Sequence, residues 1–334
     1  MRTLIKILIF VLLANSPILA FEKVGTTSFQ FLKVVADARS MSMAGAYTAV
    51  ADQSDAVFWN PAALVRVKNL DINFSYMDYF LDVKHMSASL AIPLGTAGTI
   101  GVQMMFADYG EIDVTTVNKL GFIEGGEYNP GLTGETINPY AVVAGVSFAR
   151  KLTDKFAFGV TAKFAREDMD YHSPYASAGN NYAIFKNAIM FDLGLLYDTG
   201  FRSLKLAAVV RHFGPEIKYI NKSYPLPQLM NIGISVNLLD ESNAMFFKTN
   251  GQRLLFSADL VQPRDYDQQY NVGLEYSLKN ILFLRGGYRM NYDSQGLALG
   301  FGLRFSKFRI DYSFNDYSRF LNNVHRFSVG FSWK

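Results

Sequence analysis

Asn323-Val324-His325-Arg326-Phe327-Ser328-Val329-Gly330-Phe331-Ser332-Trp333-Lys334 closes the sequence. Extended, this segment puts Phe327, Val329, Phe331 and Trp333 on one face and Arg326, Ser328, Gly330 and Ser332 on the other. A terminal amphipathic strand with an aromatic beside the last residue is expected of a transmembrane β-barrel that closes on itself. In a barrel the apolar face points outward because lipid receives it. A secreted sandwich can end in the same way, so the rest of the chain must repeat the pattern.

It does so from residue 69 onward. Leu70, Ile72, Phe74 and Tyr76 oppose Asp71, Asn73 and Ser75. The same period of two recurs through Met86–Ile92, Ile100–Phe106, Tyr140–Phe148, Phe156–Phe164, Ile189–Tyr197, Leu204–Val210, Ile232–Leu238, Leu254–Leu260, Tyr270–Leu278, Leu282–Met290, Leu297–Phe305 and Phe308–Phe314. With the terminal strand this predicts an all-β fold, a transmembrane antiparallel β-barrel of about 14 strands. The connections alternate in length. Gly95–Gly98, Thr153–Asp154, Gly200–Ser203 and Lys279–Asn280 are tight, whereas Asp108–Asn138, Asp170–Asn181 and Phe213–Pro227 are long and polar; Asp240–Gly251 breaks the alternation. Tyr79, Phe80, Tyr109, Tyr197, Tyr292 and Tyr317 stand at strand ends, where interfacial aromatic girdles are expected.

The bulk composition agrees. Of 334 residues, 50% are hydrophobic, 15% aromatic and only 18% charged, below the roughly 25% usual for soluble domains. No apolar run reaches the ~20 residues of a spanning helix. The longest run, Ile7–Ala14, follows Arg2 and Lys6 and precedes Ile18-Leu19-Ala20, which reads as a secretory signal peptide over residues 1–20. Its removal leaves 30 basic against 29 acidic residues, a net charge of +1, so charge argues for no nucleic-acid partner. There is no cysteine. Export, strand pattern and aromatic content together place the chain in the outer membrane of a two-membrane bacterium, with membrane lipid as its surroundings.

Residues 31–65 do not alternate. Ala38–Asp52 is a stretch of small residues, and Asn60-Pro61 supplies a turn in which Asn caps a short helix starting at Pro61. The pattern Phe31-Leu32-Lys33, Ala38-Arg39, Met41-x-x-Ala44, Ala49-x-Ala51-Asp52 and Asn60-Pro61-Ala62-x-Leu64 resembles the start of the PorV/PorQ family of outer-membrane proteins, within the wider FadL-like superfamily of fourteen-strand barrels. The match is dense over about 35 residues, and the remainder agrees only in strand pattern. The family usually carries Gly-Gly where Ala44-Gly45 stands here. The resemblance implies a short N-terminal helical plug over residues 21–65 inside a barrel of residues 66–334. Its motif residues are Arg39, Met43, Asp52, Asp55, Trp59, Asn60, Pro61 and Ala62.

The inward strand phase carries Lys163, Arg211, Arg253, Arg285, Arg289, Arg304, Arg309 and Arg326 against Asp192, Asp259, Glu275 and Asp311. The expectation is that this basic excess pairs with plug carboxylates such as Asp37, Asp52 and Asp55; a positive ring selecting anions is the alternative. His85, His172, His212 and His325 show no metal-ligand spacing and read as surface or interface residues. No nucleophile elbow, phosphate-binding glycine loop or zinc-protease motif is present, so the sequence predicts neither an enzyme nor a bound cofactor or metal.

Two functions follow. Resemblance to the PorV type implies a type IX secretion accessory that engages secretion-system proteins and exported cargo through its outer loops, Gly110–Pro139 and Asp170–Asn187. Resemblance to the wider superfamily implies passive transport of hydrophobic small molecules past Met43, Val57, Phe58 and Trp59, with a sideways exit through the wall. If plug carboxylates compensate the wall cations, neutralising Asp52 and Asp55 together raises single-channel conductance; unchanged conductance in a folded barrel counts against the pairing.

Overall fold

The computed structural model describes residues 24–122, 125–169, 185–219, 221–317 and 322–333. The signal-peptide segment 1–20 and the loop Asp170–Asn181 lie outside the described residues, as does His172.

Fourteen antiparallel strands form one closed wall. They are β1 (Leu70–Asp78), β2 (Lys84–Pro93), β3 (Thr99–Asp108), β4 (Tyr140–Lys151), β5 (Phe156–Asp168), β6 (Phe185–Asp198), β7 (Lys205–Phe213), β8 (Leu229–Asp240), β9 (Gln252–Pro263), β10 (Gln269–Leu278), β11 (Leu282–Met290), β12 (Gln295–Phe305), β13 (Phe308–Tyr317) and β14 (Val324–Trp333). Each strand pairs with its sequence neighbours. The terminal strand closes the ring against the first, from Leu70 opposite Trp333 to Asp78 opposite His325.

Alternation decides which face meets lipid. In β1, Phe74 is 61% exposed while its neighbours Asn73 and Ser75 are each 5% exposed. In β14, Phe327 and Val329 point out while Arg326 and Ser328 are buried. An apolar exterior over a polar interior is the inverse of a soluble sandwich. The tight connections and the chain's last strand end share one rim, and the long connections occupy the other, which marks the long-loop rim as the outer one. The eleven residues after β8 sit on the short-turn rim and remain the exception.

Three features depart from the sequence reading. The polar stretch Asp108–Asn138 contains a two-stranded hairpin, Ile112–Phe122 with Tyr128–Ile137, paired with no other described strand. Both its faces are mostly exposed, so it lacks the alternation that reveals the wall strands. Tyr79, Phe80 and Tyr317 form an inward aromatic cluster, with ring centroids of Tyr79 and Tyr317 5.8 Å apart, rather than a lipid-facing girdle. His85 and His212 are buried within the wall, not on the surface. His212 sits at a bulge with φ 59°, where the β6–β7 register shifts.

Residues 27–64 fill the lumen, most of them fully buried. They contribute a 3-10 turn (Gln30–Lys33), helix α1 (Ala38–Ser42), helix α2 (Ala56–Trp59) and a second 3-10 turn (Pro61–Arg66). Helix α1 lies against β11–β14, while the second turn lies against β3–β6, so the plug bridges the bore. Two wall glycines make room for it. A Cβ on Gly159 would overlap the Pro61–Ala62 backbone, and one on Gly194 would overlap the Asn60 side chain.

Gly159→Val is therefore expected to dislodge residues 60–64 while leaving the wall strands paired. With Ala63→Cys as the sole cysteine, a maleimide labels the double variant in intact membranes and leaves the single Ala63→Cys protein unlabelled. Equal labelling of both contradicts the close docking.

Candidate functional site

Helix α1 and the second 3-10 turn start on side-chain caps, since each is too brief to stabilise itself, whereas Asp55 at the start of α2 makes no such bond. Asp37 accepts from the Ser40 amide at 2.8 Å at the start of α1. Asn60 accepts from the Ala62 amide at 3.0 Å, ahead of Pro61 at the first helical position, and its Nδ2 donates to Thr48 O and to the wall carbonyl of Leu195, both at 3.2 Å. Asn60 thus ends α2 with its backbone amide, which donates to Ala56 O at 2.9 Å, and with its side chain starts the next turn and ties it to β6. Met43 is fully buried beside Gly273 and Gly287.

The charges form a network centred on Glu275, whose side chain is wholly buried. It accepts from Arg39 of the plug at 3.1 Å and from Arg253 and Arg285 of the wall, both at 2.7 Å. Arg285 also reaches Asp311 at 2.6 Å, and Arg39 reaches Asp52 at 2.5 Å. Burial alone would raise the Asp52 carboxyl, but the Arg39 guanidinium holds it below the usual carboxylate range. Burial pushes Asp55 well up, with Asp37 adding to the effect; Asp55 accepts from the Tyr47 hydroxyl at 2.8 Å.

The direction of pairing differs from the sequence expectation. Among the described residues Asp37, Asp52 and Asp55 form no ion pair with a wall cation. Wall cations bond instead to wall carboxylates, as in Lys163–Asp192 and Arg309–Asp71, or to plug carbonyls. Arg211 donates to Phe58 O at 2.8 Å and lies over the Trp59 ring, Arg289 donates to Ala44 O at 2.9 Å, and Arg326 donates to Val35 O at 3.1 Å. Asp259 accepts from the Tyr47 and Thr48 amides at 3.0 and 2.9 Å. Arg304 stacks over Phe283 apart from these pairs.

Near the outer rim the plug is tied to a loop. Asp265, between β9 and β10, accepts from Thr27 at 2.8 Å, Gln30 at 3.1 Å and Lys33 at 2.6 Å. Burial would raise this carboxyl, yet those donors hold it below its ordinary value.

Two spaces open toward this rim. One, of about 350 Å³, lies inside the mouth between plug residues such as Met41 and Trp59 and the wall's Arg211, Asn271 and Arg289. The other, a cleft of about 460 Å³, is lined by Leu81, Val83, Tyr109, Ile112, Tyr140, Met169 and Tyr219, with Glu111, Glu167 and Lys186 among its polar members. Tyr109 and Tyr219 pack against a buried apolar cluster that includes Phe29, Phe31, Leu32, Met105, Val143, Phe58 and Trp59. An apolar lining therefore runs from the rim into the lumen. The sequence reading missed this cleft, because its residues come from four separate connections and the strand ends beside them, which only the closed barrel brings together. No group of three or more His, Asp or Glu among the described residues is placed to hold a metal.

No protein-family model matches the sequence, and no curated protein matches it. Solved structures do match by shape. The toluene transporter TodX of P. putida superposes with a TM-score of 0.57 at 12% identity, covering 88% of this chain and 97% of that one. The CymD monoaromatic hydrocarbon channel gives 0.56 at 15% identity over 92% and 99%, and a Pseudomonas aeruginosa FadL homologue gives 0.53 at 12% over 90% and 98%. At such identity the likeness is one of fold, and the proteins it reaches are transporters and channels. The chain is an outer-membrane β-barrel with the FadL-like fold.

Proposed function

We propose that this barrel is a passive transporter of small hydrophobic molecules across the outer membrane. The observation that carries the reading is the apolar cleft at the outer rim, continuous with the buried apolar cluster of plug and wall. Its volume of about 460 Å³ falls in the range of ~300–1,000 Å³ typical of small-molecule sites. The fold it shares with a toluene transporter and a monoaromatic hydrocarbon channel supports the same reading.

An apolar solute gains by leaving water for the cleft. Its onward path is occupied by Phe29, Phe31 and Leu32, all buried, so passage requires the segment carrying them to move. The Lys33–Asp265 ion pair and the Thr27 and Gln30 bonds hold that segment in place. Beside the cleft, the β6–β7 ladder begins only at Phe191 opposite Phe213, although β6 starts at Phe185. Buried Ile217 and Leu226 lie in the connection that follows β7. A sideways exit would use this seam, where few backbone hydrogen bonds need to break.

The resemblance of residues 31–64 to the PorV/PorQ type would make the chain a secretion accessory. No feature of the described structure favours that role over transport, since both types share the barrel.

Toluene uptake into proteoliposomes tests the proposal. Replacing Leu81 and Ile112 with Lys exchanges two apolar side chains of the cleft for hydrated charges and is expected to lower uptake at least tenfold at equal protein incorporation, since an apolar solute then gains little by leaving water there. Uptake at the native rate overturns the reading. Asp265→Asn removes the charged acceptor of three donors and is expected to raise uptake severalfold by freeing residues 29–35; slower uptake in a folded variant contradicts the latch.

A further inference from the structure

The short-turn mouth holds a cavity of about 420 Å³, at the end of the barrel away from the cleft. Arg66 and Lys68, where the plug leaves the lumen, face Arg304 and Lys307, at the end of β12 and in the turn after it. Two carboxylates also line it, but Asp52 is engaged by Arg39 and Asp71 by Arg309. Among the described residues Arg66, Lys68, Arg304 and Lys307 form no ion pair. Arg66 spends its Nη1 on the carbonyls of Ala49 and Ala51, at 2.7 and 3.1 Å, and its Nη2 is buried with no hydrogen-bond partner. Arg309 lines the cavity too but is neutralised by Asp71, and the four cations left without an ion pair repel each other unless an anion joins them.

The position of this cavity indicates which anion. Lys307 Nζ lies 4.3 Å from the ring centroid of Trp333, and Trp333 is 56% exposed at the end of the closing strand. Exposed Trp at a barrel rim marks the level of the lipid headgroups. The short-turn rim faces the periplasm, so the leaflet there is the inner one. Other turns on this rim add Lys151, Lys155, Lys248 and Lys279.

We propose that this mouth binds the phosphate headgroup of an anionic glycerophospholipid of the inner leaflet, with Lys68, Arg304 and Lys307 as its cationic partners and Trp333 beside the chain-bearing end. Binding there would seat the barrel at a defined depth and neutralise the plug's exit. Basic pockets at a membrane face recognise anionic headgroups in this way, at about fivefold in affinity per Lys or Arg.

Native mass spectrometry of the full-length protein released from phosphatidylcholine nanodiscs doped with phosphatidylglycerol reads the site directly. The wild-type barrel is expected to retain phosphatidylglycerol over phosphatidylcholine. The Lys68→Gln/Arg304→Gln/Lys307→Gln variant is expected to lose that preference by at least tenfold, while Lys84→Gln/Lys119→Gln at the outer rim keeps it. Lys68 and Lys307 are exposed, so the double variant Lys68→Gln/Lys307→Gln serves if the triple variant does not fold, with a smaller loss expected. Excess inorganic phosphate should leave retention unchanged. Retention that the variants do not alter overturns the proposal. Full displacement by inorganic phosphate overturns the lipid assignment in favour of a soluble anion.

Discussion

Glu275 holds the molecule's centre together. A fourteen-strand wall encloses more space than its own side chains fill, and the plug that occupies this space carries a buried arginine. A buried guanidinium without a carboxylate would be strongly destabilising, by about 3–5 kcal/mol. Arg39 meets Glu275, and Arg253 and Arg285 converge on the same carboxylate. The wall therefore supplies one acidic hub, and the plug docks by inserting a cation into it. Burial alone would lower the Arg39 guanidinium, but Asp52 and Glu275 together hold it well above its usual value, so it stays charged.

The remaining plug contacts follow from that docking. The plug's short helices expose backbone groups that water cannot reach, and the wall satisfies them one by one. Arg211, Arg289 and Arg326 donate to plug carbonyls, while Asp259 accepts plug amides. The inward cations are thus explained without an open anion-selective ring, because each of these three is spent on plug backbone. The uncompensated positive charge is displaced to the short-turn mouth.

Much of the wall was legible because lipid imposes a period of two on every spanning strand, and Phe74 against Asn73 or Phe327 against Ser328 shows it plainly. The hairpin at Ile112–Phe122 escaped because water touches both its faces and leaves no alternation to read. The inward phase pointed to Glu275 and Arg285, and the structure has them as direct cross-strand partners. It could not show that Arg39 joins them, since that contact spans 236 residues and depends on how the plug turns at Asp37. The placing of Asn60-Pro61 inside the bore came from family resemblance, not periodicity. The aromatics at Tyr79 and Tyr317 misled because strand-end position alone does not say which side of the wall a ring occupies.

Amide hydrogen exchange on a Glu275→Gln barrel tests this account most directly. The amide would leave three arginines without their shared charge, so residues 38–64 should lose protection by orders of magnitude while β1–β8 exchange as in the native protein. Plug amides that remain as protected as in the native barrel, or protection lost evenly around the wall, would contradict the claim that this one carboxylate holds the plug in place.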